Sequence, residues 1–459
     1  MIRLTTQEHG TTRPINAMEL RAVLDDATYR RLEKYPCGSL PEYERRIRAG
    51  AEPAFSLHKV AAGDSFAVQV QASYFVGVDW VFPDAVSIRV LPKVERIDMP
   101  AMLKRVLEVA DAVKELDGLL CVRQREKPIP DAEDCDRFLL FVAAAFLKIS
   151  RRIVRKGLLK SFRTEEEIFR YRVKGKFRVS DTLRKMRFGD PFARSVCSPQ
   201  SFDADTPANR FLKLVLRRMH AVLAARAKAL GSVGRILADE AARLLRAFDV
   251  VSDIRTWRSS ETTPVVNPLF TEYTAALQLG RKFLLHKGIG AFEKAEREPR
   301  RILPYWIDMA QLFELYVLAD LRGNAAVRDV QYHRLFKPGG EPDFLVDLQG
   351  PEIPFKCCVA DAKYKPKYVD DELYKDDARQ LSGYGRVTKV IDWMSTRGHS
   401  NRKHIIPCLI IHPDQSSEDK HVDFSKLRPL KHWEDFWKIG IQIPHQQANK
   451  GLDGDNSES

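Results

Sequence analysis

The chain has 459 residues, of which 44% are hydrophobic and 30% charged, with a formal charge of +13. That length exceeds one ordinary core, so two or three domains are expected, and the balance describes a soluble globular protein and excludes a disordered chain. The longest apolar run, Phe138 to Leu147, is too short for a bilayer, and the N-terminus carries no hydrophobic signal region, so no membrane partner and a cytoplasmic location are expected. Seven cysteines, an odd count without a Cys-x-x-Cys pair, suggest neither a disulfide framework nor a zinc site.

In chain order, residues 1–99 read as a β-rich domain after one short helix at Ala17–Ala27. Ser65-Phe66-Ala67-Val68-Gln69-Val70 alternates, Ser73 to Val81 is β-branched and aromatic, and Val86 to Lys93 follows a turn at Asp84. Together they predict a small sheet or barrel. Helical patterns dominate residues 100–299, with helices expected at Ala101–Leu116, Asp131–Ile149, Pro207–Leu230 and Gly234–Phe248. Pro207 after Asp205-Thr206 reads as an N-cap followed by proline in the first turn. Within this middle region, residues 151–190 carry 14 Lys/Arg against 5 Asp/Glu. The stretch Arg170-Tyr171-Arg172-Val173-Lys174-Gly175-Lys176-Phe177-Arg178 alternates cations with apolar residues, as a strand with one charged face would. It suits contact with a DNA phosphate backbone and equally fits a solvated face. Charge-dense Glu293 to Arg301, with Pro299, marks a boundary near residue 300. Residues 300–445 then read as an α/β domain, and the polar, acidic residues 446–459 as a disordered tail.

The chemistry-bearing residues lie in that α/β domain. Met309, Leu312, Phe313, Tyr316 and Val317 form an apolar stripe at helical spacing with Glu314 at its edge. Glu341-Pro342-Asp343 opens a strand running to Leu348, in which Asp343, Leu345 and Asp347 share one face. Gln349-Gly350-Pro351 with Pro354 supplies a turn, and the apolar run from Phe355 ends in Asp361-Ala362-Lys363-Tyr364-Lys365. Paired as a hairpin, these strands bring Asp343 within reach of Asp361, while alternation puts Asp361 and Lys363 on one face. Two carboxylates can hold a hard cation through oxygen, and a lysine beside them can serve the attacking water. A hairpin with solvated edge charges fits the same residues, and Glu314 reads equally as a solvated helix charge. Downstream, Asp370 to Tyr384 predicts a helix with an acidic first turn on which Gln380 and Tyr384 share a face. The apolar strand His404–His412 completes the order helix, strand, strand, helix, strand.

Pro-Asp, a spacer and Asp-x-Lys resemble the active-site signature of PD-(D/E)xK nucleases, and a following Gln-x-x-x-Tyr helix is similar to that of RecB-like nucleases. Several short matches in one order, covering most of the chain, resemble the McrC family, the nuclease subunit of the McrBC 5-methylcytosine-specific restriction system. They are Phe75-Val76-Gly77-Val78 with Ile88-Arg89-Val90-Leu91-Pro92-Lys93; Lys174-Gly175-Lys176; Asp205-Thr206-Pro207-Ala208-Asn209-Arg210-Phe211; Leu312-Phe313-Glu314-Leu315-Tyr316-Val317; and Pro342-Asp343 with Asp361-Ala362-Lys363-Tyr364-Lys365. One departure is Arg379, where an aromatic often precedes the Gln.

The resemblance implies an α/β and α+β multidomain protein: a β-rich N-terminal domain, a largely helical middle, and a C-terminal PD-(D/E)xK restriction-endonuclease-like core over 300–445. It implies a metal-dependent endodeoxyribonuclease of phage defence, with Asp343, Asp361 and the Ala362 carbonyl holding Mg²⁺ (or Mn²⁺) and Glu314 joining them. Lys363 would orient water or stabilise charge, and Gln380 would position the site. The implied partners are DNA and an McrB-like AAA+ GTPase hexamer, in whose ring the N-terminal region docks. The sequence carries no Gly-x-x-x-x-Gly-Lys-Ser/Thr loop, in keeping with a separate motor. Two rivals are a stand-alone RecB-like repair nuclease and a non-catalytic DNA-binding adaptor.

Overall fold

The computed structural model describes residues 1–47, 52–94, 96–109, 118–123, 126–130, 135–185, 194–255, 271–285, 301–333, 341–365, 368, 375–398, 405–416, 420–431 and 433–445. The chain divides into two units, one made of Met1–Phe141 with Arg297–Ser459 and the other of Val142–Glu296. No helix among the described residues is long and apolar enough to cross a membrane.

The β-rich N-terminal part of the first unit holds two sheets. Strands Phe55–Ala62 and Ser65–Ala72 pair as a hairpin, flanked by Gly38–Ser39 and Ile15–Asn16. Where the sequence predicts one helix, there are two, Ala17–Val23 and Asp26–Lys34, because Asp25 leaves the helical path to accept the Thr28 amide at 2.8 Å. The last turn of the second helix is closed by buried Lys59, whose ammonium donates to the carbonyls of Leu32, Glu33 and Tyr35.

The other sheet has five strands in the order Ile2–Gln7, Val86–Leu91, Phe75–Phe82, Tyr305–Asp308, Leu120–Val122. Its fourth strand comes from the segment expected to open the 300–445 domain, so the N-terminal sheet and the later α/β layer share a chain segment. Trp306 lies opposite Gly77, and the backbones approach so closely that a Cβ on Gly77 would overlap the Tyr305 carbonyl. Asp79, fully buried in this sheet, accepts Trp306 Nε1 at 3.0 Å and pairs with Arg45 at 3.2 Å and Arg123 at 3.3 Å. Burial raises its pKa against the pull of the two guanidinium groups.

Directly after the shared strand, Asp308 accepts the Gln311 amide at 3.0 Å and starts the helix Met309–Gly323. Its apolar residues are not confined to one stripe: Leu315, Leu318 and Leu321 are buried along with Leu312, Phe313 and Tyr316. A helix apolar all round must be covered all round. It packs on the helix Met99–Glu108 and on two strands of a second sheet, Val327–Tyr332 and Cys357–Ala362.

That six-stranded sheet runs Val327–Tyr332, Phe344–Leu348, Cys357–Ala362, Cys408–Pro413, Phe436–Ile441, Arg428–Pro429. The first three strands are antiparallel, with Phe344 opposite Ala360 and Val346 opposite Cys358. Cys357–Ala362, Cys408–Pro413 and Phe436–Ile441 are parallel. Central strands buried on both faces read as unbroken apolar runs. Helix Thr388–Ser395 lays Val390, Trp393 and Met394 on Leu345, Cys357 and Val359, and helix Lys375–Tyr384 packs Ala378 and Leu381 with Cys408 and Ile410. The acidic turn expected at Asp370–Glu372, the start of the strand expected at His404, and the tail 446–459 lie outside the described residues.

In the second unit, helices Pro207–Ala225, Ala227–Ala247 and Thr271–Leu285 accompany short strands. The first ends at Arg226, earlier than its apolar pattern, and Gly231 interrupts the next with a φ of 63°. Thr206 caps the first helix, and buried Asn209 donates to Leu159 and Ala204 carbonyls while accepting the Tyr273 hydroxyl. Burial pushes that hydroxyl up to about 12.

Gly77→Ala should cost about 2 kcal/mol through overpacking against backbone that cannot yield. The measurement is the thermal midpoint of the whole chain by scanning calorimetry, which should fall.

Candidate active site

The antiparallel pairing of Phe344–Leu348 with Cys357–Ala362 sets the site, because the residues at adjoining strand ends must meet. Asp343 precedes the first of these strands. Its Oδ2 accepts the Ala362 amide at 3.0 Å, and its carboxyl faces that of Asp361. Asp361 is only 1% exposed. Burial first, then the charges of Asp361 and Glu314, holds the Asp343 carboxyl well above the usual carboxylate range. The Ala362 amide offsets only part of that rise.

Strand alternation turns Lys363 to the same side as Asp361. Its Nζ lies 2.6 Å from Asp361 Oδ2, donates to Gln380 Oε1 at 3.1 Å, and is 3.8 Å from Asp377 Oδ1. Burial works against the lysine charge, but Asp361, Asp377 and Asp343 outweigh it and raise its pKa. Lys363 is therefore a fixed ammonium at neutral pH, suited to donating hydrogen bonds and stabilising negative charge rather than removing a proton. Gln380 in turn donates to the Tyr384 hydroxyl at 2.9 Å, one helical turn on.

Glu314 joins the cluster at Asp343. It accepts the Tyr332 hydroxyl at 3.2 Å, lies 3.2 Å from His333 Nε2, and has donor atoms within 4.8 Å of those of both His333 and Asp343. Glu314, Asp343, Asp361, Lys363 and Gln380 thus form one chain of neighbouring groups, with Asp343 shared between an Asp343/Asp361 pair and a Glu314/His333/Asp343 trio. Asp361 Oδ1 is buried without a hydrogen-bond partner among the described residues. A buried, unpartnered carboxylate oxygen beside two more acids is a donor set that fits a hard divalent cation. A ring nitrogen of His333 within the same group of donor atoms extends the fit to Mn²⁺.

Two members of this cluster are not among the residues singled out from sequence. His333 follows the strand Val327–Tyr332 with a φ of 46°, and no motif marks it. Asp377 accepts Lys365 Nζ at 2.7 Å and the Tyr368 hydroxyl as well as standing near Lys363. Its position three residues before Gln380 on a helix was the available signal.

The basic segment lies in the second unit. There Glu167–Arg170 and Lys176–Phe177 pair with Arg194–Ser198, and Ser161–Thr164 pairs with Gln200–Asp203. Phe162, Tyr171, Phe177 and Phe202 are exposed, as are Lys174 and Lys176 between Tyr171 and Phe177 in sequence, and the Phe162 and Phe202 rings sit 4.9 Å apart. Exposed cations and aromatic rings of this kind fit an anionic partner with flat apolar surfaces.

A family model described as McrBC 5-methylcytosine restriction system component matches residues 70–391. Among solved structures, the chain is similar to one in a half-complex from a tetradecameric assembly of Thermococcus gammatolerans McrB AAA+ hexamers with bound McrC. The identity is 16% over 96% of this chain and 94% of that one, with a TM-score of 0.38. A chain of the Thermococcus gammatolerans McrBC complex solved by cryo-electron microscopy shares 15% identity over 70% of this chain and 87% of that one, with a TM-score of 0.30. Superpositions this loose carry no weight for fold or function. No curated protein matches the sequence.

The raised pKa of Asp343 has a defined sign for stability. The folded state binds this proton more tightly than the unfolded chain, so stability falls as pH rises from the ordinary carboxylate value through the raised one. In EDTA at pH 8, Asp343→Asn should therefore melt roughly 2 °C above wild type. That advantage should vanish below about pH 3, where both states are protonated, as differential scanning fluorimetry across pH would report.

Proposed function

Because the chain belongs to the family of McrBC 5-methylcytosine restriction system components, we propose that it is the cutting subunit of such a system. In this reading it is a Mg²⁺-dependent endodeoxyribonuclease with a PD-(D/E)xK core, acting on DNA together with an McrB-like AAA+ GTPase hexamer. The observation that carries the proposal is the convergence of Asp343, Asp361 and Lys363 at adjoining strand ends, with the ammonium 2.6 Å from Asp361. A hairpin with solvated edge charges does not account for an acid that is 1% exposed and keeps one oxygen unpartnered.

Asp343 and Asp361 with the Ala362 carbonyl are the residues to hold the metal, with Glu314 and His333 beside Asp343 able to extend the set. The chemistry a bound divalent cation supplies is charge compensation on the scissile phosphate and a more acidic attacking water. Lys363 aims its ammonium at the oxygens on which negative charge grows. Gln380 receives one of its hydrogen bonds and is itself held by Tyr384, so the amine is kept off other rotamers. Asp377 engages Lys365 and keeps that second cation from competing for Asp361. The basic, aromatic-bearing strands of the second unit supply sequence-independent contact with the DNA backbone.

Lys363→Ala should lower Mg²⁺-dependent cleavage of methylated plasmid by about 1,000-fold or more while leaving DNA binding and association with the GTPase intact. Persistent cleavage by that variant sinks the proposal, and loss of binding makes the lysine structural. Running wild type with and without the GTPase, in Mg²⁺ and in EDTA, separates the rivals. Cutting without the motor favours a stand-alone nuclease, and metal-independent binding without any cutting favours an adaptor.

For the basic face, the double variant Lys174→Ala with Lys176→Ala should weaken DNA binding about equally for all sequences. It should also reduce the log–log salt slope by roughly 1–2. Fluorescence anisotropy over a salt series measures both, and an unchanged slope excludes this face.

A further inference from the structure

We propose that Lys93 and Glu8, which belong to the N-terminal sheet, are positioning residues for the cleavage site and act by fixing the strand end that carries Lys363. The inference rests on the nuclease reading above and extends its machinery into a different layer of the first unit.

The connection is short. Glu8 continues the edge strand Ile2–Gln7, its amide donating to the Leu91 carbonyl at 2.8 Å, and its Oε2 accepts the Lys93 amide at 2.9 Å. Lys93 crosses to the other layer. Its ammonium donates to the Tyr364 carbonyl and lies 4.1 Å from the centroid of the Tyr364 ring. Tyr364 is the residue after Lys363, is 5% exposed, and rests its ring on Phe313 of the helix that carries Glu314. The Lys363 amide donates to Ile411 at 2.9 Å, and its carbonyl accepts the Lys365 amide at 2.6 Å.

The segment 363–365 leaves the sheet at this point. The Lys93 hydrogen bond to the Tyr364 carbonyl joins the Lys363-to-Ile411 bond and the Tyr368 amide on the Lys365 carbonyl in holding its main chain. The surroundings are dry: burial pushes the Glu8 carboxyl up to about 7 and the Tyr364 hydroxyl above its usual range. In a low-dielectric setting an ammonium-to-carbonyl bond is strong, and removing the donor leaves a buried carbonyl without it. The geometry therefore makes the direction of Lys363 depend on a lysine 270 positions earlier in the chain, neither touching DNA nor metal.

Lys93→Met keeps the apolar stem and removes the donor. In the Mg²⁺-dependent cleavage assay with the GTPase present, its kcat should fall about 10- to 100-fold, as for other supporting residues. KM and DNA affinity should stay at wild-type values, because the DNA-contacting groups are untouched. Lys93→Arg, which restores a charged donor, should recover most of the lost kcat. Glu8→Gln, nearly isosteric, should show a smaller kcat loss with unchanged KM, and it carries the test if Lys93→Met does not fold.

Wild-type kcat in Lys93→Met or, where that variant does not fold, in Glu8→Gln overturns the proposal. So does a loss shared equally by Lys93→Arg and by DNA binding, which would mark a purely structural lysine. Lys363→Ala, run alongside, separates the two levels of inference. If it still cuts, the nuclease reading itself fails; if it is dead while Lys93→Met is fully active, only the role of Lys93 fails.

Discussion

Two carboxyl groups forced together at the ends of adjoining strands are the constraint around which the α/β layer is arranged. Asp343 and Asp361 meet because Phe344 pairs with Ala360, so the register of that hairpin sets their proximity. Like charges in a part-buried setting oppose folding, and the neighbouring groups read as compensation. The Ala362 amide bonds one acid, Lys363 pairs with the other, and Gln380 holds the lysine in place. What remains uncompensated is an oxygen of Asp361 and the raised pKa of Asp343. Functional sites often retain such residual cost, since the ligand that relieves it binds the more tightly for it.

Support for this arrangement comes from beyond the sheet that bears it. Helix Met309–Gly323 begins at the end of a strand in the N-terminal sheet and delivers Glu314 one turn later. The sheet it leaves is pinned by Asp79, which gathers Trp306, Arg45 and Arg123 around one buried carboxylate. Removing one partner of such a group is costly, because it leaves an uncompensated charge in the interior. The position of Glu314 is thus set by pairing and ion contacts formed among residues far earlier in the chain.

Local features of the site were legible in the sequence, and long-range ones were not. Asp361 and Lys363 are two apart on a strand, and Gln380 and Tyr384 four apart on a helix, so period alone gives their shared faces. The hairpin between Asp343 and Asp361 follows from a turn of few residues. Nothing local marks Tyr305–Asp308 as a partner of Phe75–Phe82, since pairing across such a separation leaves no trace in either segment. His333 escaped for a related reason: its backbone turns left-handed after a strand, and neither the turn nor the side chain belongs to a pattern. Asp377 was hidden by abundance, as one acid in an acidic stretch, although its helical phase with Gln380 distinguished it. Two helices in place of Ala17–Ala27 show a weaker limit, for Asp25 serves as a cap only when the chain has already bent there.

The shared strand also governs how this polypeptide can be taken apart. Expressing residues 1–299 alone would deprive Phe75–Phe82, buried along its whole length, of a ladder partner and leave Leu120–Val122 with nothing to pair against. An apolar strand edge opened in this way recruits other chains, and aggregation is the usual result. A recombinant piece starting at residue 300 has the converse defect, an orphan Tyr-Trp-Ile-Asp strand at its leading end. Truncation at the boundary that composition marks most clearly would therefore yield two insoluble halves, and loss of activity in either would say nothing about where the chemistry resides.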